Sequence, residues 1–157
     1  MKKILLLTAS LLAGITLNAN AAGISQKNLS LTEAQKIAQE AIKEARKEKV
    51  NVSVVVLDRS GNVLVIFKDD NAGLHTTDTA ERKAYTALTF KTSSKEFGQK
   101  ANNFAALKEI TGVITLPGGV LVKDYDGAIL GSVGVGGAPS GLTDENIATS
   151  AIKKVVK

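Results

Sequence analysis

The chain has 157 residues, carries a formal net charge of +5 and contains no cysteine. This length suits one domain with a sizeable core, and the lack of thiols excludes a disulfide framework and a cysteine-based zinc site. Adjoining basic residues occur in pairs at most, without aromatic residues between them, so we expect no nucleic-acid interface.

The N-terminus predicts a cleavable secretory signal peptide over residues 1–21. It has a positive start, an apolar run over residues 4–17 and the small-x-small sequence Ala-Asn-Ala at 19–21, which together are typical of such a signal. The run is shorter than the roughly 20 residues that span a bilayer, so a retained membrane anchor is the less favoured alternative. We therefore expect residues 22–157 to form a mature domain that is periplasmic or secreted.

The mature domain is predicted to open with a helix near Leu31. Ser30 with Glu33, and equally Thr32 with Gln35, fit a capping box at this point. Apolar residues then recur at helical spacing and predict one buried stripe. These residues are Ala34, Ile37, Ala38, Ala41, Ile42 and Ala45.

Two strands follow, over residues 50–57 and 63–67, and the turn sequence Asp-Arg-Ser-Gly-Asn at 58–62 predicts a hairpin between them. Neither strand alternates between apolar and polar residues. We therefore expect both faces of the sheet to be covered, by helices or by another subunit.

A polar loop over residues 68–76 precedes a second helix, predicted from about 77 to 91, whose inner face is small and rich in alanine. Residues 92–107 are predicted to form a Ser/Thr-rich joint and a short helix. Three more segments are strand-like, and a last helix begins near Thr143. These segments are 112–116, 119–122 and 128–135.

This order of elements predicts an α+β domain with a mainly antiparallel central sheet of about five strands, flanked by helices. Within it, His75 is the only imidazole of the chain. It could serve as an axial metal ligand or a general base, or could be an ordinary exposed loop histidine. The turn at residues 116–119, Leu-Pro-Gly-Gly, could bind an anion through backbone N–H groups, or could be a plain turn.

Five motifs follow one another along the mature chain. They are the turn at 58–62, Ala-Glu-Arg-Lys-Ala-Tyr-Thr-Ala at 80–87, Leu-Pro-Gly-Gly-Val at 116–120, the glycine-rich segment 126–138 and Asp-Glu at 144–145. In this order and spacing they resemble the GlcG/HbpS-like family, also called the heme-degrading-domain family.

The resemblance extends over about residues 29–156, and it implies a profilin-like sandwich that assembles into homo-oligomers. It also implies heme or a related tetrapyrrole as the ligand in one branch of the family. Some exported members resemble extracellular heme sensors or scavengers that partner a membrane kinase. Other members are linked to glycolate metabolism or to cobalamin enzymes, so the fold alone does not settle the function.

The resemblance places a heme-contacting hydroxyl in the joint after the second helix, with Ser94 as the iron candidate and Thr92 close by. His75 is the other iron candidate. Arg82 and Lys83 are predicted to contact heme propionates; the alternative for both is a solvated helix face or a salt bridge within the oligomer. Other side chains of the mature domain that could ligate iron are Tyr85, Tyr125 and Lys91.

The sequence thus predicts an exported, heme-binding homo-oligomer, a scavenger or sensor in character, with a membrane sensor as a further partner. An enzyme is less favoured because no nucleophile elbow or metal cage is present. The alternatives are an enzyme that degrades heme or processes a small acid, and an accessory oligomer without a small ligand. A hydroxyl ligand to iron would give modest affinity and high-spin heme.

Overall fold

In the computed structural model, which describes residues 23–156, helices flank one antiparallel sheet. The predicted signal peptide at residues 1–21 lies outside the described residues. The elements, in chain order, are α1 (Leu31–Lys47), β1 (Ser53–Asp58), β2 (Val63–Lys68), α2 (Thr76–Phe90), α3 (Ser94–Asn103), a 3-10 helix (Ala105–Glu109), β3 (Gly119–Lys123), β4 (Ile129–Gly136) and α4 (Gly141–Val155).

The sheet has the strand order β2-β1-β4-β3, and each neighbouring pair is antiparallel. It therefore has four strands over the described range, where the sequence predicted about five. The missing strand is residues 112–116, whose backbone bonds to side chains of α2: Thr86 Oγ1 accepts from the Ile114 N–H at 2.9 Å, and Arg82 donates to the Val113 carbonyl at 2.8 Å. With these groups already satisfied, the segment does not join the sheet.

The core lies on both faces of the sheet. Val54 and Val56 of β1 belong to the cluster that includes the apolar stripes of α1 and α4, whereas Val55 and Leu57 pack against α2. Every residue of β1 is buried. The predicted α+β class, with an antiparallel sheet flanked by helices, is confirmed.

Local capping explains where the first helix begins. Ser30 and Glu33 form the predicted capping box, and α1 accordingly starts at Leu31. The alternative box at Thr32 and Gln35 falls inside the helix. Between residues 23 and 156, no helix combines the length and hydropathy needed to cross a bilayer.

Glycines let α2 lie close to the sheet. A Cβ atom built on Gly134, in the middle of β4, would overlap the Ala80 carbonyl oxygen of α2 and would lie 2.8 Å from the Ala84 nitrogen. Ala80 and Ala84 are themselves fully buried. Small residues on both elements therefore set the distance between helix and sheet.

Candidate functional site

One exposed face of α2 carries the polar and aromatic side chains that could meet a ligand. His75 is the N-cap residue of α2 and is exposed, and its side chain makes no capping hydrogen bond. Arg82 and Tyr85 follow seven and ten residues later. At 3.6 residues per turn these positions lie on one side of the helix, with His75 and Arg82 about 10 Å apart along its axis.

Arg82 lines a shallow pocket of about 180 Å³ together with Lys108 and the backbone segment 113–115. Its guanidinium donates to the Val113 carbonyl oxygen at 2.8 Å. A second nitrogen lies 3.9 Å from a carboxylate oxygen of Asp78, a side chain that is 74% exposed. Because so exposed and long an ion pair contributes little, the guanidinium is available to another anion.

Tyr85 lies one helical turn after Arg82 and is 38% exposed. Its ring packs on Gly112, where an added Cβ would lie 3.2 Å from the Tyr85 Cε1 atom. Gly112 also has φ +84°, a left-handed conformation that favours glycine. The aromatic ring is thus held in place by a turn that needs glycine for two reasons.

Lys83 does not share this exposed face. Its Nζ donates to Asp144 Oδ2 at 2.7 Å and to the Val135 carbonyl oxygen at 3.0 Å, and the Lys83 and Asp144 side chains are 3% and 2% exposed. Asp144 also accepts from the Ala138 N–H at 3.1 Å. Contact between Lys83 and a heme propionate would therefore require this buried pair to open.

Burial raises the pKa of Asp144, against the opposing effect of the hydrogen bond and charge of Lys83. The pair ties α2 to the first turn of α4. Gly118 closes over it, since a Cβ at Gly118 would lie 2.9 Å from the Asp144 Cβ and 3.0 Å from the Lys83 Cδ. The Lys83–Asp144 pair is thus a tightly packed contact between α2 and α4 inside the domain.

Ser94 lies at the start of α3 and is fully buried. Its hydroxyl donates to the Leu116 carbonyl oxygen and accepts from the Gly119 N–H, both at 2.8 Å. This pair of bonds fastens the Leu-Pro-Gly-Gly turn to α3 and engages one of the N–H groups predicted to capture an anion. Iron ligation by Ser94 would require α3 to separate from the turn.

Thr92 is half-buried, and its hydroxyl donates to the Glu96 carboxylate. The structure therefore places Arg82 and His75 on one face of α2 but about two helical turns apart, and it leaves Ser94, Thr92 and Lys83 in separate hydrogen-bonded positions. As heme contacts, all five residues remain predictions.

Sequence reasoning missed Asp144 as the partner of Lys83, and Lys108 beside Arg82. The first had a signal: position 83 shares the helical spacing of the buried positions 80, 84 and 87, which predicts an inward-facing lysine. Lys108 had none, because its place next to Arg82 depends on the path of the chain after α3. No group of three or more metal-ligating side chains occurs within the described part of the chain.

Comparisons with known proteins agree with this fold. The family model described as haem degrading protein HbpS-like matches residues 29–153. The crystal structure of a double mutant of HbpS from Streptomyces reticuli superposes with a TM-score of 0.82 and 36% identity, covering 87% of this chain and 95% of that chain. The crystal structure of a PduOC:heme complex superposes with a TM-score of 0.73 and 25% identity, over 83% of this chain and 99% of that one.

Among curated proteins, the corrinoid adenosyltransferase PduO of Salmonella typhimurium is 28% identical over 131 residues. The match covers 81% of this chain but 39% of PduO, so the chain spans about two fifths of that relative's length. The family resemblance predicted from the five motifs is confirmed. Because the family model covers most of the chain, this protein belongs to the HbpS-like family of haem degrading proteins.

Proposed function

We propose that this protein is an exported, heme-binding homo-oligomer that acts as a scavenger or a sensor. The observation that carries the proposal is the heme complex of PduOC, a protein with the same fold over nearly its whole length. The similarity to HbpS over most of both chains supports it. A membrane sensor as partner is the part of the proposal that rests on the family resemblance alone.

The residues on the exposed face of α2 fit a heme in their chemistry. A heme needs a donor atom for its iron, an apolar or aromatic contact for its ring and cations for its two propionates. His75 supplies an uncapped imidazole, Tyr85 an exposed ring, and Arg82 with Lys108 two cations at one pocket. Met1 is the chain's one methionine, so after cleavage no sulfur ligand is left.

When bound, the heme would supply an iron centre with a weakly held, exchangeable ligand. The protein would hold the propionates at Arg82 and Lys108 and cover one side of the ring with α2. A heme held on so open a surface would stay exposed to water and could dissociate. Such loose binding suits a scavenger or a sensor better than an electron carrier.

The second candidate is an enzyme that degrades heme, which the family description itself favours. Mixing the protein with equimolar heme, and then adding ascorbate in air, separates the two functions through absorption spectra. A heme spectrum that changes on mixing and persists with ascorbate supports a binder. Conversion to a biliverdin-like spectrum, with release of iron, would contradict a purely binding role.

Assembly is supported by an uncovered apolar strip on β2. Val63 and Ile66 pair with Leu57 and Val55, which face α2, but α2 packs mainly on β1, β3 and β4. Val63 is 42% and Ile66 47% exposed. An apolar edge strand of this kind tends to pair or aggregate unless it is covered, and we propose that a second copy covers it.

Light scattering should therefore show a wild-type particle larger than a monomer, and Ile66→Lys should lower its mass. The lysine would place a charge in the interface, where it has no partner. Ile24→Lys serves as the control, because Ile24 is exposed but lies in the N-terminal segment. A monomeric wild type, or an Ile66→Lys variant of unchanged mass, would refute assembly through β2.

Export stays a prediction from the sequence. Mass spectrometry of protein from a periplasmic or culture fraction should give an N-terminus near Ala22. Soluble protein that retains Met1 in the cytoplasm would argue against it.

A further inference from the structure

The net positive charge of the mature domain lies in one stretch of the chain. Residues 91–123, which include α3, the 3-10 helix and β3, contain five lysines and two glutamates. The rest of residues 22–157 carries equal numbers of basic and acidic side chains. The lysines of the stretch, all exposed, are Lys91, Lys95, Lys100, Lys108 and Lys123. This part of the domain therefore presents a positive surface.

Most of this charge is not neutralised by a neighbouring carboxylate. Within the described residues, four of the five lysines form no ion pair, and the fifth has a long one of 4.0 Å. The pKa of Glu96 is lowered first by its hydrogen bond with Thr92, and also by the charges of Lys100 and Lys123. Two of the lysines thus lie near the same carboxylate and form one positive cluster.

Two large apolar side chains are exposed in the middle of this positive stretch. Phe104 lies between α3 and the 3-10 helix and is 68% exposed, and Ile110 follows that helix and is 42% exposed. Side chains three apart on a 3-10 helix eclipse one another, so Phe104, Leu107 and Ile110 form one row. Leu107 packs against the buried cluster that contains Phe97. The row is therefore anchored in the core at its centre and exposed at both ends.

We propose that this surface docks on an anionic lipid bilayer, with Phe104 and Ile110 in the interfacial layer and lysines such as Lys100 and Lys123 at the headgroups. Aromatic and apolar side chains beside lysines are typical of segments that lie in a membrane interface. Each lysine near an anionic bilayer adds to the attraction. A polyanion in solution would use the lysines alone, whereas a bilayer also covers the two apolar side chains.

The charge of the surface argues against a second copy as its occupant. In a symmetric dimer the same patch of both subunits meets. Here that contact would bring the lysines of one copy against those of the other, and like charges placed together across an interface are costly. An anionic bilayer has the opposite sign. Docking of this kind does not depend on heme binding and is tested separately from it.

The first test is co-sedimentation of the mature chain with vesicles of phosphatidylglycerol and phosphatidylcholine in equal parts, and with vesicles of phosphatidylcholine alone. Wild-type protein should sediment with the first and stay in solution with the second. Phe104→Ser should weaken binding about ten-fold, because a phenylalanine no longer leaves water on docking. Leu74→Ser is the matched control, since Leu74 is 97% exposed but lies on the loop before α2.

The contribution of charge is tested by Lys100→Gln with Lys123→Gln, which should weaken binding at least about ten-fold. Lys43→Gln with Lys47→Gln removes the same charge from α1, which packs on the other face of the sheet from α2. That control should have a much smaller effect. Equal losses in the two double variants would mean that net charge alone causes binding, and would overturn the assignment of the surface.

A fluorescent reporter gives an independent readout, because the chain contains no tryptophan. The emission of Phe104→Trp should move to shorter wavelength when the anionic vesicles are added, and that of Leu74→Trp should not. Wild-type protein that ignores the anionic vesicles, or Phe104→Ser that binds them as wild type does, would refute the proposal. A lower particle mass for Phe104→Ser in light scattering, with vesicle binding unchanged, would instead assign the surface to a second copy.

Discussion

Lys83→Met is expected to lower the free energy of unfolding by about 3–5 kcal/mol at pH 7. The change removes the Nζ that bonds Asp144 at 2.7 Å and leaves a carboxylate 2% exposed with no cation beside it. Such an uncompensated buried charge is among the most destabilising changes known for single substitutions. Urea denaturation of wild type and variant measures the difference.

The loss should depend on pH in a defined direction. Burial already raises the pKa of Asp144. Without Lys83, only the backbone hydrogen bonds remain to lower that pKa. The folded variant then keeps its proton over a pH range where the unfolded chain has lost it. The contribution of Asp144 to the variant's stability is therefore most favourable below the ordinary carboxyl pKa of 3.8, and it is lost as pH rises through the raised pKa of the folded state.

A second substitution separates charge from packing. Asp144→Asn added to Lys83→Met removes the stranded charge, so the double variant should be more stable than Lys83→Met alone. Lys43→Met, in the exposed pair with Glu40, should have a far smaller effect. Ordinary single substitutions lower the free energy of unfolding by about 1 kcal/mol. If Lys83→Met lowers it by no more than this, the pair does not hold α2 to α4.

Gly134→Ala is expected to cost about 3 kcal/mol or more, because the new methyl group would meet the α2 backbone. It would overlap the Ala80 carbonyl oxygen and press on the Ala84 nitrogen. Neither backbone group can move without shifting the whole helix away from the sheet. Thermal or urea denaturation should show the loss.

Gly23→Ala is the control for this change, since nothing lies within 4 Å of a Cβ at Gly23. It should leave stability close to that of the wild type. If Gly134→Ala unfolds at the same urea concentration as Gly23→Ala, the close approach of α2 to β4 is not a feature of the folded protein.

Local signals in the sequence predicted most of the elements. The Ser30–Glu33 capping box marks the start of α1, and the turn at 58–62 joins two apolar strands that pair as expected. The prediction was wrong for residues 112–116, where β-branched residues suggested a strand. That error has a non-local cause, because Arg82 and Thr86 on α2 take up the backbone groups that a strand would use.

The candidate site was predictable only in part, for the same reason. Helical spacing predicts which residues of α2 face outward, and it places Arg82 on that outward face. Ser94 is buried because a turn more than twenty residues later bonds its hydroxyl, and Asp144, the partner of Lys83, lies far along the chain from it. Long-range contacts of this kind leave no trace in a window of neighbouring residues.

The central claim is that this chain binds heme, and a titration of the chain beginning at Ala22 with heme, followed at the Soret band, tests it most directly. The account predicts a shifted band that grows with added heme and saturates at a fixed ratio of heme to chain. Spectra that equal the sum of free heme and protein at every ratio would contradict it, and would favour an accessory oligomer without a small ligand.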